Sequence, residues 1–214
     1  MFTLQKQPGK DFKILNFSDP QLGDAEWAEG HRNRAILQHT MRTLIESEKP
    51  DLITVTGDIS WAGNMAAYKA FADEIDAYGI PWAPVWGNHD NQGGAETIDK
   101  VAELYLTYPH CLYEKGDPAL GNGNYVIAIT EGDKIVEGVL MMDAHDRDPY
   151  PNEDGTMGEV WAKLTPPQLV WYKNQIDALK QLGCTETAIF LHIPIYAYRE
   201  AWEAAHNPAF APES

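Results

Sequence analysis

Apolar positions in this chain fall into short solid runs that stop at polar punctuation, and between those runs they recur at helical spacing. Lys13 to Ser18 (KILNFS) reads as a buried strand ending at Asp19-Pro20, since proline offers no N–H to continue a ladder. Asn33 to Glu48 then spaces Ile36, Leu37, Met41, Leu44 and Ile45 along one helical face, and Lys49-Pro50 stops it. The unit repeats. Leu52 to Thr56 is an apolar strand ending at Gly57-Asp58, and Met65 to Tyr78 is a helix closed by Gly79. Trp82 to Trp86 is a third strand, ending at Gly87-Asn88-His89-Asp90, with a helix from about Ala95 to Leu106 behind it.

Alternating strand and helix predicts an α/β fold with a largely parallel sheet, and ligands of such sheets collect outside the carboxyl ends of the strands. After Pro109 the rhythm changes. Asn124 to Thr130 and Ile135 to Met142 flank Glu131-Gly132-Asp133-Lys134, which predicts an antiparallel hairpin and a mixed sheet. Asp143 to Glu159, rich in Asp, Pro and Gly, reads as a long surface loop. Thr165 is placed to cap a helix running to Leu182 with prolines in its first turn, and Thr187 to Leu191 is a strand that terminates at His192.

Four polar clusters therefore stand at strand ends, and they are expected to meet on the rim of one sheet. Each alone is an ordinary turn: Asp-Pro initiates one, and Gly-Asp after a strand is usually one. Together Asp19, Asp58, Asn88-His89 and His192 supply carboxylate, carboxamide and imidazole without thiol, a set suited to hard or borderline divalent ions such as Mn²⁺, Mg²⁺, Fe²⁺ or Zn²⁺. His31, His39, His110, His145 and His206 have no comparable setting and read as helix-surface or loop residues. Trp61 lies close enough to Asp58 in sequence to shape a substrate pocket.

Charge narrows the partners. Sixteen basic against 32 acidic residues give a net charge of −16, which repels nucleic acid and anionic membrane surfaces, so neither is expected as the main partner. Cys111 and Cys184 fit no zinc or redox spacing, and Met1 to Gly9 lacks a long apolar run, so a reduced, cytoplasmic chain is expected. A length of 214 residues suits a single domain. Oligomeric state has no signature here. No G-x-x-x-x-G-K-[ST] loop exists, and Gly121-Asn122-Gly123 lacks the third glycine of a dinucleotide fingerprint.

Asp19-Pro20-Gln21, Gly57-Asp58, Gly87-Asn88-His89-Asp90 and His192-Ile193-Pro194 resemble, in order, the motifs of the calcineurin-like metallophosphoesterases, and the resemblance covers nearly the whole chain. It implies a β-sandwich flanked by helices. It also implies two divalent metal ions, with Asp58 bridging them, Asp19 on the first, Asn88 and His192 on the second, and His89 unligated beside the phosphate. Hydrolysis of a phosphate ester by a metal-bridging hydroxide would follow, with no serine or cysteine nucleophile. Where the commonest family version has His this chain has Gln21, which offers the first metal a weaker, harder oxygen or holds a water. Asp-Pro-Gln resembles a subgroup that includes protein phosphatase-like members, so phosphomonoester or phosphoprotein hydrolysis is the first expectation.

The family also ends in Gly-His-x-His, which nothing after His192 matches; His206 lacks both the glycine and the second histidine. The expectation is that the closing strand and its ligands lie beyond Ser214, and that this polypeptide binds metal weakly. A phosphodiesterase acting on cyclic nucleotides or nucleotide diphosphates, and a catalytically impaired metal-binding protein, remain the alternatives.

Overall fold

A computed structural model describes residues 1–206, the side chains of Ala95, Tyr196 and Arg199 excepted. The elements in chain order are β1 (Phe2–Gln5), β2 (Ile14–Phe17), α1 (Arg32–Glu48), β3 (Leu52–Thr56), α2 (Met65–Asp76), β4 (Trp82–Val85), α3 (Asn88–Asn91) and α4 (Ala95–Tyr105). They continue with β5 (Tyr125–Glu131), β6 (Lys134–Met141), β7 (Arg147–Pro151), β8 (Met157–Trp161), α5 (Pro166–Gln181), β9 (Glu186–Phe190) and α6 (Tyr196–His206).

Two sheets carry the fold. Strands β2, β3 and β4 lie parallel in that order, and β1, β5, β6 and β9 form the second sheet, in which only the β5–β6 pair is antiparallel. The period-two alternation of the β5–β6 hairpin shows how the layers stack. Ile127 and Val139 face each other in a core shared with Val55 and Val85 of the first sheet, while Val126 and Leu140 turn the other way onto Leu179 of α5. Strand β3 is buried at all five positions, as a central strand covered on both faces should be. Gly138 makes the close approach of α5 possible, since a Cβ there would stand 2.5 Å from a Leu179 methyl.

Helix α5 begins as the sequence predicts, with Thr165 as its cap and prolines in the first turn; the Gln168 side chain also reaches back to the Thr165 amide and completes a capping box beyond the cap expected from sequence. Three departures stand out. The segment read as a long loop holds the β7–β8 hairpin, in register from Arg147 opposite Trp161 to Pro151 opposite Met157. Pro149 and Pro151 are tolerated because this two-stranded ribbon has solvent on its outer edges, where a missing N–H costs no ladder bond. Strand β1, only four residues long and followed by a turn at Pro8-Gly9, pairs in parallel with β5 across more than a hundred residues of chain. Finally, β9 belongs to the second sheet, so His192 does not share a sheet with the other three clusters. The rim is common all the same: the sheets stack with β3, β4 and β9 ending on the same side, which brings His192 into contact with Thr56 and Asn88. The closing family motif expected beyond Ser214 lies outside the described residues.

Candidate metal centre

The centre begins with a backbone arrangement that glycine makes possible. At the ends of β3 and β4 the chain turns through Gly57 (φ +77°) and Gly87, and these two residues lie back to back. A Cβ on Gly57 would stand 2.4 Å from the Gly87 nitrogen, and one on Gly87 would stand 2.2 Å from Asp58 Oδ1. Asp19, Gln21 and Asp58 all occupy the left-handed region, with φ of 56°, 47° and 51°. Such conformations cost on the order of 1 kcal/mol each and persist only where neighbours enforce them. Here the enforcement is visible: Asp19 N donates to Gly57 O (3.1 Å) and Gln21 N to Asp58 O (3.1 Å), so the two loops extend the parallel ladder beyond the strands.

Asp58 is buried at the middle of the cluster. Its Oδ1 accepts from the His89 amide at 2.9 Å and lies 3.4 Å from His192 Nε2, and its Oδ2 accepts from Gln21 Nε2 at 2.9 Å. Burial alone raises a carboxyl pKa, but His192, the His89 amide and Gln21 together outweigh it and hold Asp58 below the usual carboxylate range. Asn88 is buried beside it, with Oδ1 3.2 Å from His192 Nε2. His192 Nδ1 lies 2.8 Å from Thr56 O, to which it must be the donor. That bond fixes the ring so that Nε2 faces Asp58 and Asn88, the orientation a metal-ligating histidine takes when its second nitrogen is held by a carbonyl.

Ligand atoms of Asp19, Asp58 and His192 all lie within 4.8 Å of one another. Asp19 is exposed, and Ser18 Oγ donates to its Oδ2. Thus Asp19, Gln21, Asp58, Asn88 and His192 converge, and His89 flanks them with Nε2 3.9 Å from Asp58 Oδ2 and its ring 6.0 Å from that of Trp61. The set fits a divalent cation: two carboxylates with oxygens to share, a carboxamide oxygen and one imidazole nitrogen aimed inward. Burial works against charge on His192, but the Asp58 carboxylate and the Thr56 carbonyl prevail and bring its pKa up to about 9. Without a cation, the ring therefore carries a proton on Nε2 at neutral pH. A cation must displace it, so affinity is expected to rise about tenfold per pH unit up to pH 9, with one proton released. Titration calorimetry with Mn²⁺ in buffers of different ionisation enthalpy measures that release; an affinity flat between pH 6 and 8 would remove His192 Nε2 from the ligand set.

Asp90 is fully buried, with Oδ1 accepting from Ile59 N (3.1 Å), Ser60 N (3.3 Å) and Tyr68 Oη (2.7 Å), and Oδ2 from Gly87 N (2.8 Å). It thereby clamps the Asp58 loop to the Asn88 loop, even though burial lifts its pKa up to about 6. A second support was not visible in the sequence. Gln168 donates from Nε2 to Asp143 O (2.7 Å) and Asn124 Oδ1 (3.1 Å), and its Oε1 lies 2.8 Å from His145 Nε2. Asn91 Nδ2 contacts Gly87 O at 3.0 Å and His145 O at 3.5 Å, which joins this network to α3. Asn91 and Gly87 apart, these partners lie more than twenty residues from one another, so no local motif announces the network.

Comparison with known proteins agrees with this geometry. The family model for calcineurin-like phosphoesterase matches residues 12–211. Phosphatase DCR2 of Saccharomyces cerevisiae is 26% identical over 95% of this chain, and probable inactive purple acid phosphatase 28 of Arabidopsis thaliana is 32% identical over 76% of it. The chain spans 38% and 46% of those two relatives' own lengths. A crystal structure of a dimetal phosphatase from Danio rerio superposes with a TM-score of 0.57 over 86% of this chain and 70% of that one, at 17% identity, a likeness of fold. With the motifs in place on a common rim and the family model matched from residue 12 to residue 211, the chain belongs to the calcineurin-like phosphoesterase family.

Proposed function

We propose that this chain is a metal-dependent phosphoesterase that cleaves phosphomonoesters, phosphoproteins among them. The observation that carries the reading is the convergence of Asp19, Asp58 and His192 ligand atoms within 4.8 Å, with Asn88 and Gln21 bonded into the same cluster. Asp58 would take a shared position, because each of its oxygens faces a different side of the cluster. Asp19 would serve the first cation, and so would Gln21, whose amide nitrogen is given to Asp58 and whose oxygen remains as a donor. Asn88 and His192 would serve the second. A cation pair held there supplies positive charge for the phosphoryl oxygens and acidifies water enough for attack near neutral pH.

His89 is placed to hand a proton to the departing oxygen. Its amide is tied to Asp58 while its ring stays outside the ligand cluster, and Nδ1 is buried without a hydrogen-bond partner among the described residues. His89→Ala is expected to lower kcat by about 100-fold for alkyl phosphates, the size of a lost general acid. The loss should be much smaller for p-nitrophenyl phosphate, whose leaving group needs little protonation. Steady-state rates on both substrates check this, and an equal loss on the two would assign His89 to binding instead.

The reading is tested by stripping metal, restoring Mn²⁺, Co²⁺ or Zn²⁺, and comparing p-nitrophenyl phosphate with bis-p-nitrophenyl phosphate. Metal-restored monoester hydrolysis is the expected result. A preference for the diester would turn the reading to a phosphodiesterase. Turnover absent with metal bound would favour an impaired metal-binding protein, a second reading supported by the word inactive in the name of the Arabidopsis relative.

A further inference from the structure

One fully buried carboxylate takes no part in the ligand set. Asp143 follows β6 at the end of the second sheet, where Met142 N donates to Phe190 O (3.0 Å), two residues before His192. Its Oδ2 accepts from Asn122 N (2.8 Å) and its Oδ1 from His145 N (3.0 Å), and His145 Nδ1 lies 3.6 Å from Oδ2. Burial pushes its pKa up, while the His145 ring, these two amides and the Asn91 side chain pull against that and favour the charged form. A carboxylate that gathers donors from three separate segments ties those segments together.

The turn that follows is strained and held. His145 adopts φ +61°; of the other non-glycine residues with positive φ among the described ones, Asp19, Gln21 and Asp58 belong to the centre and Lys49 ends α1. Such a conformation persists only where neighbours enforce it. Here His145 N is fixed on Asp143, and the ring is fixed through Nε2 on Gln168 Oε1, 2.8 Å away. Gly121 leaves the space, since a Cβ there would stand 2.5 Å from Asp143 Oδ2 and 2.6 Å from His145 Cε1. The result is a braced turn whose carbonyl, His145 O, faces Asn91 Nδ2 at 3.5 Å, while the same Nδ2 holds Gly87 O at 3.0 Å.

Asn91 is the last residue of α3, the turn that carries Asn88 and His89. Asp90 ties that turn to the end of the first sheet, through Ile59 N and Ser60 N. Asn91 ties it to the end of the second, the sheet that leads to His192. The second tie matters because Asn88 and His192, which meet at 3.2 Å, come from different sheets. Among the described residues no ladder bond joins those sheets, so their relative position rests on packing and on bonds such as this one. Metal–ligand distances, by contrast, hold to within about 0.2 Å.

We propose that Asp143, acting through the His145 turn and Asn91, is a positioning residue that sets the approach of Asn88 and His89 to His192 across the seam between the two sheets. The proposal rests on the phosphoesterase reading only for what the centre does; the positioning itself is a property of the metal-free chain.

Two variants cut the link from either side. Asn91→Ala, at a half-buried position, removes the contact on α3, and Asp143→Asn removes the charge that braces the turn. Each is expected to lower the affinity for Mn²⁺, measured by calorimetry, by about tenfold or more, the scale on which outer partners of a metal site act. Because both act through one contact, the double variant should bind no more weakly than Asp143→Asn alone. In the metal-free chain, hydrogen exchange of the His89 amide, which donates to Asp58 Oδ1, should speed up about tenfold relative to the Val55 amide of the buried strand β3, the scale of one lost buried hydrogen bond. A purely structural role would lower the urea midpoint and speed both amides together, with the Mn²⁺ affinity of the folded chain unchanged, and that result overturns the proposal. So do losses of affinity that add in the double variant. Should Asp143→Asn fail to fold, Asn91→Ala decides by itself, on affinity and on His89 exchange. Failure of the phosphoesterase reading looks different: both readouts move as expected while the unmodified, Mn²⁺-restored chain does not turn over p-nitrophenyl phosphate.

Discussion

Asp58→Asn is expected to reduce metal-restored hydrolysis by at least about 10³-fold, well beyond the 10–100-fold that loss of an outer partner of a metal site costs. The substitution isolates charge from shape. Asparagine is isosteric with aspartate and tolerates the left-handed φ of 51° that position 58 adopts. Its amide oxygen can keep the bond from the His89 amide, and Gln21 can turn its own amide to present oxygen where it now presents nitrogen. Folding should therefore survive. What is lost is the one anionic group that both cations can share, and two divalent ions about 3.5–4 Å apart repel strongly without it. The measurement is paired: kcat/KM on p-nitrophenyl phosphate and bound metal per chain after gel filtration, against an unchanged circular dichroism spectrum. A variant as active as the parent removes the binuclear centre from the account; a variant that merely unfolds would contradict the accommodation of asparagine by the His89 amide and Gln21.

The clusters that were legible in sequence are those whose flanking strands announce themselves. Leu52–Thr56, central in its sheet, and Trp82–Val85, last in the strand order, are both buried at every position, and so appear as unbroken apolar runs with an abrupt polar stop at Gly57-Asp58 and Gly87-Asn88-His89. His192 was legible as the end of a strand, but not which sheet that strand joins. Period and length describe a strand's own faces and say nothing of its neighbours, and the pairing of β6 with β9 spans some fifty residues. The β7–β8 hairpin was hidden by its composition. Asp, Pro and Gly signal turns because they resist a ladder, yet an exposed two-stranded ribbon accepts them at little cost, since half of its backbone groups face water in any case. The Gln168 network was hidden for another reason: the same side chain also serves locally, closing a capping box with Thr165 in the first turn of α5. Local spacing says nothing of the longer-range use.

Gly87→Ala carries the second large expectation, because it adds one methyl group where the structure has no room and where nothing can yield. The new Cβ would meet Asp58 Oδ1 at 2.2 Å and Asp58 N at 2.4 Å, and one of those atoms is backbone. The contacts cannot be relieved by a rotamer change. Moving the 87 segment outward breaks the bond from Gly87 N to Asp90 Oδ2, and Asp90 is the fully buried clamp on the 58–60 loop. Moving Asp58 instead breaks its bonds from His89 N and Gln21 Nε2 and carries a carboxylate oxygen away from His192. Overpacking of this kind costs on the order of 1–3 kcal/mol, and the lost buried hydrogen bonds add about as much again. The sum takes away a large fraction of the stability of a domain of ordinary size. The expected result is a fall in urea midpoint corresponding to about 3 kcal/mol or more, together with loss of Mn²⁺ binding under conditions where the variant remains folded. Gly79→Ala is the reference: that glycine also has a positive φ, +68°, but nothing stands within 4 Å of its Cβ position, so only the backbone term, about 1 kcal/mol, applies. A Gly87→Ala variant no less stable than Gly79→Ala, and still able to bind metal, would mean that the approach of the β3 and β4 ends is not what holds Asp58 in place.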